Sequence, residues 1–139
     1  MREKMRRLAL VLNARHPEAE RVRDRLIGHA EGLGVPMECL GPADGDRLTE
    51  VASRVDGFVV AGGDGTLLAA VPAAAAAGRP LLGINMGSLG FLTPVVLAEA
   101  EAAVTAFVNG GWVAAERSLL RAEVRGDGGR EDLGLALNE

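Results

Sequence analysis

Residues 58–66, FVVAGGDGT, decide the fold because they join a buried strand to a glycine-rich turn. Four apolar residues lead into three glycines around one carboxylate, Asp64, and an alanine-rich segment follows. Glycines allow backbone N–H groups to approach a phosphate closely, so the turn indicates phosphoryl-transfer chemistry. When this turn is considered alone, the favoured interpretation is structural: a tight strand-to-helix turn in which Asp64 accepts hydrogen bonds from backbone amides.

On both sides of this segment the sequence alternates between strand and helix patterns. Pro72 should kink or restart the helix that contains it, because proline removes one helical hydrogen bond. The alternation predicts an α/β fold: a parallel, Rossmann-like sheet with helices on both faces, ending in an antiparallel hairpin. The predicted strands are 7–13, 35–40, 56–61, 81–85, 119–124 and 133–137, and the predicted helices begin at Pro17, Arg47, Leu67 and the pair Thr93-Pro94.

A second glycine-rich loop, residues 86–93, follows the fourth predicted strand. In parallel α/β sheets ligands bind at the carboxyl ends of the strands, so both glycine-rich loops belong at one edge. The plain alternative is a loose loop in which Leu89 and Phe91 fill the core. The final pair, Asn138-Glu139, is by itself no more than the solvated end of a strand.

Composition excludes several classes of function. A net charge of −4 and an aromatic content of 3% argue against a nucleic-acid partner. The apolar runs are too short for a membrane helix, so no membrane partner is expected. A single cysteine, Cys39, permits no internal disulfide and no cysteine cage for a metal, which favours the cytoplasm. We predict no metal site formed by the protein's own side chains.

Four motifs together resemble the bacterial and archaeal NAD kinases: GGDGT at 62–66, GINMGSLGFLT at 83–93, RSLL at 117–120 and LNE at 137–139. The GGDGT motif is shared with lipid kinases and phosphofructokinase-like enzymes, whereas the GINMGSLGFLT motif is far more specific to the NAD kinases. The resemblance covers essentially the whole chain in order. It implies that residues 1–139 form the amino-terminal, phosphofructokinase-like α/β domain. The all-β NAD-binding domain that follows in the family is absent from this chain, so the chain alone is expected to be nearly inactive.

The resemblance implies transfer of a phosphoryl group from ATP to the adenosine ribose 2′-hydroxyl of NAD, with Asp64 as the proton acceptor. Mg²⁺ or another divalent metal would accompany ATP, and the complete protein would be a homo-oligomer, a dimer or a tetramer. A departure is that residues 68–71 are uncharged where many relatives carry a basic residue. The positions implied to bind NAD are Asp64, Gly65, Phe91, Asn138 and Glu139, and those implied to face the phosphates of ATP are Gly62, Gly63, Gly65 and Thr66.

Two alternatives remain open at this point. A lipid or sugar kinase could share the first motif, although the second loop and the final Leu-Asn-Glu argue against it. A domain that binds a dinucleotide without catalysis would need the same loops but no base at Asp64.

Overall fold

The structure is a computed structural model that describes residues 2–88 and 90–137, with only the backbone described for Leu133. Strands and helices alternate along this part of the chain. A single 3₁₀ turn, Leu97–Glu99, precedes the last helix. The predicted α/β class is confirmed. The elements are β1 (Leu8–Leu12), α1 (Ala19–Gly32), β2 (Met37–Leu40), α2 (Gly45–Ala52), β3 (Gly57–Gly62), α3 (Asp64–Ala77), β4 (Leu81–Asn85), β5 (Val95–Val96), α4 (Ala100–Asn109), β6 (Leu119–Gly126) and β7 (Gly129–Leu137).

The first five strands form one parallel sheet in the order β2-β1-β3-β4-β5. Every residue of β1 and β3 is buried, which explains why both strands are continuously apolar rather than alternating. The register pairs Leu12 with Ala61 and Gly62 with Asn85. The ends of β1, β3 and β4 therefore lie side by side at one edge of the sheet.

Helices cover both faces of the sheet, as predicted. On one face α1 and α4 pack together against Leu8, Leu10 and Leu12 of β1. On the other face α2 and α3 pack against Ala9 and Val11. None of the described helices combines the length and the apolarity that crossing a bilayer requires.

Three predicted helix starts are displaced by two or three residues, among them that of α2, which begins at Gly45 instead of Arg47, and the restart predicted at Pro72 is absent. Helix α1 begins two residues after Pro17, and α3 begins at Asp64, so most of the glycine-rich turn is the first turn of a helix. Pro72 neither ends nor restarts α3, which continues to Ala77. The carbonyl that proline leaves without a partner belongs to Leu68. Because Leu68 is 41% exposed and Pro72 is also exposed, water can bind that carbonyl.

The helix predicted to begin at Thr93-Pro94 is present as α4, but its predicted start is wrong. Val95 and Val96 instead pair with the end of β4 as the edge strand β5, and α4 begins only at Ala100. The Thr93 hydroxyl does not cap a helix but bonds to the side chains of Asn85 and Asp64. β-branched valines suit the extended backbone at a sheet edge.

The predicted hairpin is confirmed as an antiparallel pair, β6 and β7. Most of the described hairpin side chains are exposed, including Leu120 and Val124. At its base, Leu119 and Leu137 pack against the core beneath α2 and α3. The hairpin is thus attached to the α/β unit at one end.

Replacing Pro72 with alanine should raise the free energy of unfolding by roughly 1–3 kcal/mol, because alanine restores the missing backbone donor and favours a helix. Urea denaturation measures the change. Ala76→Gly, at an exposed position of the same helix, is the matched control and should lower stability by roughly 0.5–1 kcal/mol. If Ala76→Gly lowered the free energy of unfolding while Pro72→Ala left it unchanged, the idea that proline weakens α3 would be contradicted.

Candidate active site

The candidate site lies at the carboxyl ends of β1 and β3, where the connections after the two strands leave toward opposite faces of the sheet. The two strands are neighbours, yet the helices that follow them, α1 and α3, pack on opposite faces of the sheet. Such a divergence opens a crevice at the edge of the sheet, and ligands of parallel α/β folds bind there. Asp64, the first residue of α3, follows β3 directly at this point.

The Asp64 carboxylate joins the two glycine-rich loops. The backbone N–H of Phe91 donates to Oδ2 at 2.9 Å, and that of Leu92 donates to Oδ1 at 2.9 Å. The Thr93 hydroxyl donates to Oδ1 at 3.3 Å. The loop after β4 is therefore held against the first turn of α3 by one side chain.

These donors also set the charge state of the carboxylate. The Leu92 amide, above all, lowers the pKa of Asp64, and the Phe91 amide and the Thr93 hydroxyl act in the same direction against the opposing effect of burial. No charged side chain of the described residues is among the causes of the shift. Asp64 is therefore ionised at neutral pH and is a weak base.

Two buried polar residues behind Asp64 were not among the predicted site residues. Asn85, at the end of β4, is 4% exposed, and Thr93 is fully buried. The Asn85 amide donates to the Thr93 hydroxyl oxygen at 2.9 Å and accepts the N–H of Gly87 at 2.7 Å. The available signal was an asparagine ending an apolar strand, since a polar side chain buried there needs partners.

The residues predicted to face phosphates fall into two groups. A Cβ on Gly62 would lie 2.5 Å from the hydroxyl oxygen of Thr66, so Gly62 and the buried Thr66 side chain pack against each other. A Cβ on Gly63 or Gly65 would meet nothing within 4 Å. Only Gly63 and Gly65 border open space that an anionic group could occupy.

The amino terminus of α3 also faces this space. Its amides receive no side-chain cap, and the aligned peptide dipoles of a 14-residue helix place partial positive charge there. The terminus of a helix next to glycines is a favourable place for a phosphate. Because residues 68–71 include no basic side chain, this helix attracts a phosphate through its backbone dipoles.

Gly90 allows the Asp64 carboxylate to approach the loop. A Cβ on Gly90 would lie 2.7 Å from Asp64 Cγ and closer still to Oδ1, which no real Cβ tolerates. The backbone of Gly90 has no positive φ, so the requirement is for space rather than for an unusual conformation.

The remaining predicted site residues are placed as follows. Phe91 binds Asp64 through its amide while its side chain is 86% exposed. Asn138 and Glu139 lie outside the described residues, as does Leu89. Within residues 2–88 and 90–137, His, Cys, Asp and Glu side chains nowhere gather in a group of three that could hold a metal.

The strand order and the glycine-rich turn at the divergence define a doubly wound α/β domain. The sequence profile of the ATP-NAD kinase N-terminal domain matches residues 42–112, about half of the chain, and includes both glycine-rich loops. The chain belongs to the ATP-NAD kinase family, which confirms the family predicted from the motifs.

Curated relatives extend the similarity over most of the chain. An NAD kinase of Moorella thermoacetica is 34% identical over 128 residues, 87% of this chain and 41% of the relative. An NAD kinase of Symbiobacterium thermophilum is 37% identical over 133 residues, 89% of this chain and 47% of the relative. One from Pseudomonas fluorescens is 42% identical over 105 residues, 76% of this chain and 34% of the relative. The chain thus spans about half the length of the curated relatives it matches, or less.

Replacing Gly90 with alanine should displace the Asp64 carboxylate and lower the free energy of unfolding by roughly 1–3 kcal/mol. The pKa of Asp64 should rise toward its ordinary value, because the amide donors are lost. Urea denaturation and a ¹³C NMR titration of the Asp64 carboxyl measure the two effects. Gly87→Ala is the matched control, since a Cβ at Gly87 meets nothing within 4 Å. If Gly90→Ala and Gly87→Ala had the same free energy of unfolding and the same Asp64 pKa, the proposed crowding at Gly90 would be contradicted.

The stability difference between the wild type and Asp64→Asn should depend on pH. A carboxyl whose pKa is lowered by folding stabilises the native state fully above its unfolded value, near 3.8, and loses this effect as pH falls through the lower folded value. The wild type should therefore be the more stable at pH 7, and the gap should narrow below about pH 4. Thermal unfolding at pH 7, 5 and 3 measures the gap, and a gap independent of pH would refute the assignment.

Proposed function

We propose that this chain contributes the amino-terminal part of an active site that transfers the γ-phosphoryl group of ATP to the adenosine ribose 2′-hydroxyl of NAD, giving NADP. The observation that carries the proposal is the placement of Asp64: an ionised carboxylate at the amino end of α3, held between two glycine-rich loops, in a chain of the NAD kinase family.

In this proposal Asp64 orients the acceptor hydroxyl and takes its proton as the new P–O bond forms. An aspartate is too weak a base to ionise an alcohol beforehand, so the transfer must accompany bond formation. Most of the acceleration then comes from positioning and from stabilisation of charge on the transferred group. The lowered pKa keeps Asp64 ionised, and therefore able to accept a proton, at neutral pH, but it also makes the carboxylate a weaker base.

The phosphates of ATP are assigned to the open side of the turn. The backbone at Gly63 and Gly65 leaves room for close approach, and the amino end of α3 supplies partial positive charge. Gly62 and Thr66 support this surface by packing beneath it. The remaining assignments place Asp64, Gly65 and the exposed ring of Phe91 next to NAD, together with Asn138 and Glu139.

A divalent metal, Mg²⁺ or another, is assigned to ATP rather than to a resident protein site. Mg²⁺ usually keeps several waters and binds through substrate phosphates with one or two carboxylates. When bound, the metal neutralises charge on the phosphates.

The proposal concerns a chain that spans about half the length of the relatives it matches. We therefore propose that residues 1–139 alone form NADP slowly or not at all. A homo-oligomer, dimer or tetramer, and a cytoplasmic location are proposed for the complete protein.

Replacing Asp64 with asparagine in the natural full-length protein should reduce kcat for NADP formation by roughly 10²–10⁴-fold, because the amide cannot take the proton. A coupled assay with NAD and Mg-ATP measures the rate, and circular dichroism checks the fold. Glu31→Gln, the same chemical change at an exposed position of α1, is the matched control and should keep wild-type turnover.

The same assay separates the alternatives. Turnover of diacylglycerol or a sugar in preference to NAD would support a different kinase. Full NADP formation by a folded Asp64→Asn protein would reject Asp64 as the base, and dinucleotide binding without any turnover by the wild type would support a purely binding domain.

A further inference from the structure

We infer that Thr93, held in place by Asn85, is a positioning residue that fixes the Asp64 carboxylate so that Oδ2 is the oxygen receiving the proton of the acceptor hydroxyl. This inference rests on the proposed function. It adds Asn85 and Thr93 as residues that orient Asp64, and it identifies Oδ2 as the atom that accepts the proton.

The first step is the isolation of the Asn85–Thr93 pair from solvent. Both residues are buried, their side chains bond to each other, and the Thr93 hydroxyl also bonds to Asp64. A buried polar group without a partner destabilises the folded state, so the pair is held to a narrow set of geometries. Within the described residues no buried side-chain polar atom lacks a partner.

The second step is the direction of the Thr93 hydroxyl. The Asn85 side-chain amide donates to its oxygen, and a primary amide nitrogen can only donate. The hydroxyl proton must then point to another acceptor, and Asp64 Oδ1 is 3.3 Å away. Asn85 is fixed in turn because its own oxygen accepts the N–H of Gly87. The order of donation therefore runs from Asn85 through Thr93 to Asp64.

The third step is the count of donors at each carboxylate oxygen. Oδ1 receives the Leu92 amide and the Thr93 hydroxyl, which together occupy both of its lone pairs. Among the described residues the Phe91 amide donates the one well-formed hydrogen bond to Oδ2. The Thr93 amide also lowers the pKa of Asp64 but makes no well-formed bond to either oxygen, so one lone pair of Oδ2 remains for an incoming hydroxyl. Gly90 lies against the carboxylate on the loop side, which leaves approach from the open side of the turn.

The fourth step is the reaction at that oxygen. The substrate O–H bond breaks and its proton moves to Asp64 Oδ2. The substrate oxygen forms a bond to the γ-phosphorus as the bond from that phosphorus to the bridging oxygen breaks, and ADP leaves with the electron pair. The Thr93 contact of 3.3 Å is long for an O–H···O bond, as catalytic hydrogen bonds often are before substrate binds.

The test compares Thr93→Val, which removes the hydroxyl from a side chain of nearly the same shape, with Thr93→Ser, which keeps it. In the natural full-length protein, Thr93→Val should lower kcat for NADP formation about tenfold with little change in KM for NAD. The acid limb of its kcat–pH profile should move to higher pH, because the ionised form of Asp64 has lost a donor. Thr93→Ser should restore both.

A ¹³C titration of Asp64 in the 139-residue chain supplies a readout that needs no turnover. The pKa of Asp64 should rise in Thr93→Val and stay near the wild-type value in Thr93→Ser. Asn85→Ala, which retains Thr93 but frees its hydroxyl to turn, provides a second variant if Thr93→Val does not fold, and it should also raise the pKa.

The outcomes separate the two proposals. Suppose that Thr93→Val changes neither the pKa of Asp64 nor the kcat–pH profile, while Asp64→Asn is inactive. This result would overturn the positioning role of Thr93 but would not contradict the proposed function. A wild-type Asp64 pKa at or above the ordinary aspartate value would overturn the positioning role without any variant. Turnover retained by Asp64→Asn would overturn both proposals.

Discussion

The hydrogen bonds from the Phe91 and Leu92 amides to Asp64 hold the site together. They join residues 27 and 28 positions apart in sequence, and each donor binds a different carboxylate oxygen. Hydrogen bonds to a charged acceptor are stronger than neutral ones, so a single side chain can order a glycine-rich loop. The arrangement requires β3 and β4 to be neighbours with Gly62 opposite Asn85, since only then do the two loops meet.

The same hydrogen bonds impose a constraint on chemistry. Donors that keep Asp64 ionised also make it less able to take a proton, so the carboxylate gains order at the expense of basicity. In phosphoryl transfer this loss is tolerable, because positioning and electrostatic stabilisation supply most of the acceleration. A carboxylate whose orientation is fixed by the loop, by Thr93 and by the space at Gly90 fits a site that depends on geometry rather than on base strength.

Much of the fold followed from local patterns. Continuous apolar strands and amphipathic helices predicted a parallel sheet covered on both faces, and the position of each glycine-rich loop after a strand predicted that both loops lie at one edge. The errors lie where local signals compete with distant partners. Thr93-Pro94 has the chemistry of a helix start, but the Thr93 hydroxyl binds Asn85 and Asp64 instead, and the following valines extend the sheet. Pro72 favours a helix break, yet it lies on the exposed face of α3, where the carbonyl that proline leaves without a partner can face solvent.

By itself the sequence determined the α/β class, the family and the identity of the central carboxylate, because strand periodicity, glycine spacing and motif order are local properties of the chain. Only the tertiary structure decided which atoms Asp64 contacts, that Asn85 and Thr93 lie behind it, and that Gly62 and Gly90 are needed for packing while Gly63 and Gly65 border open space. These features depend on distances between segments of different strands. Such distances are set by sheet register and helix packing, which no single stretch of sequence encodes.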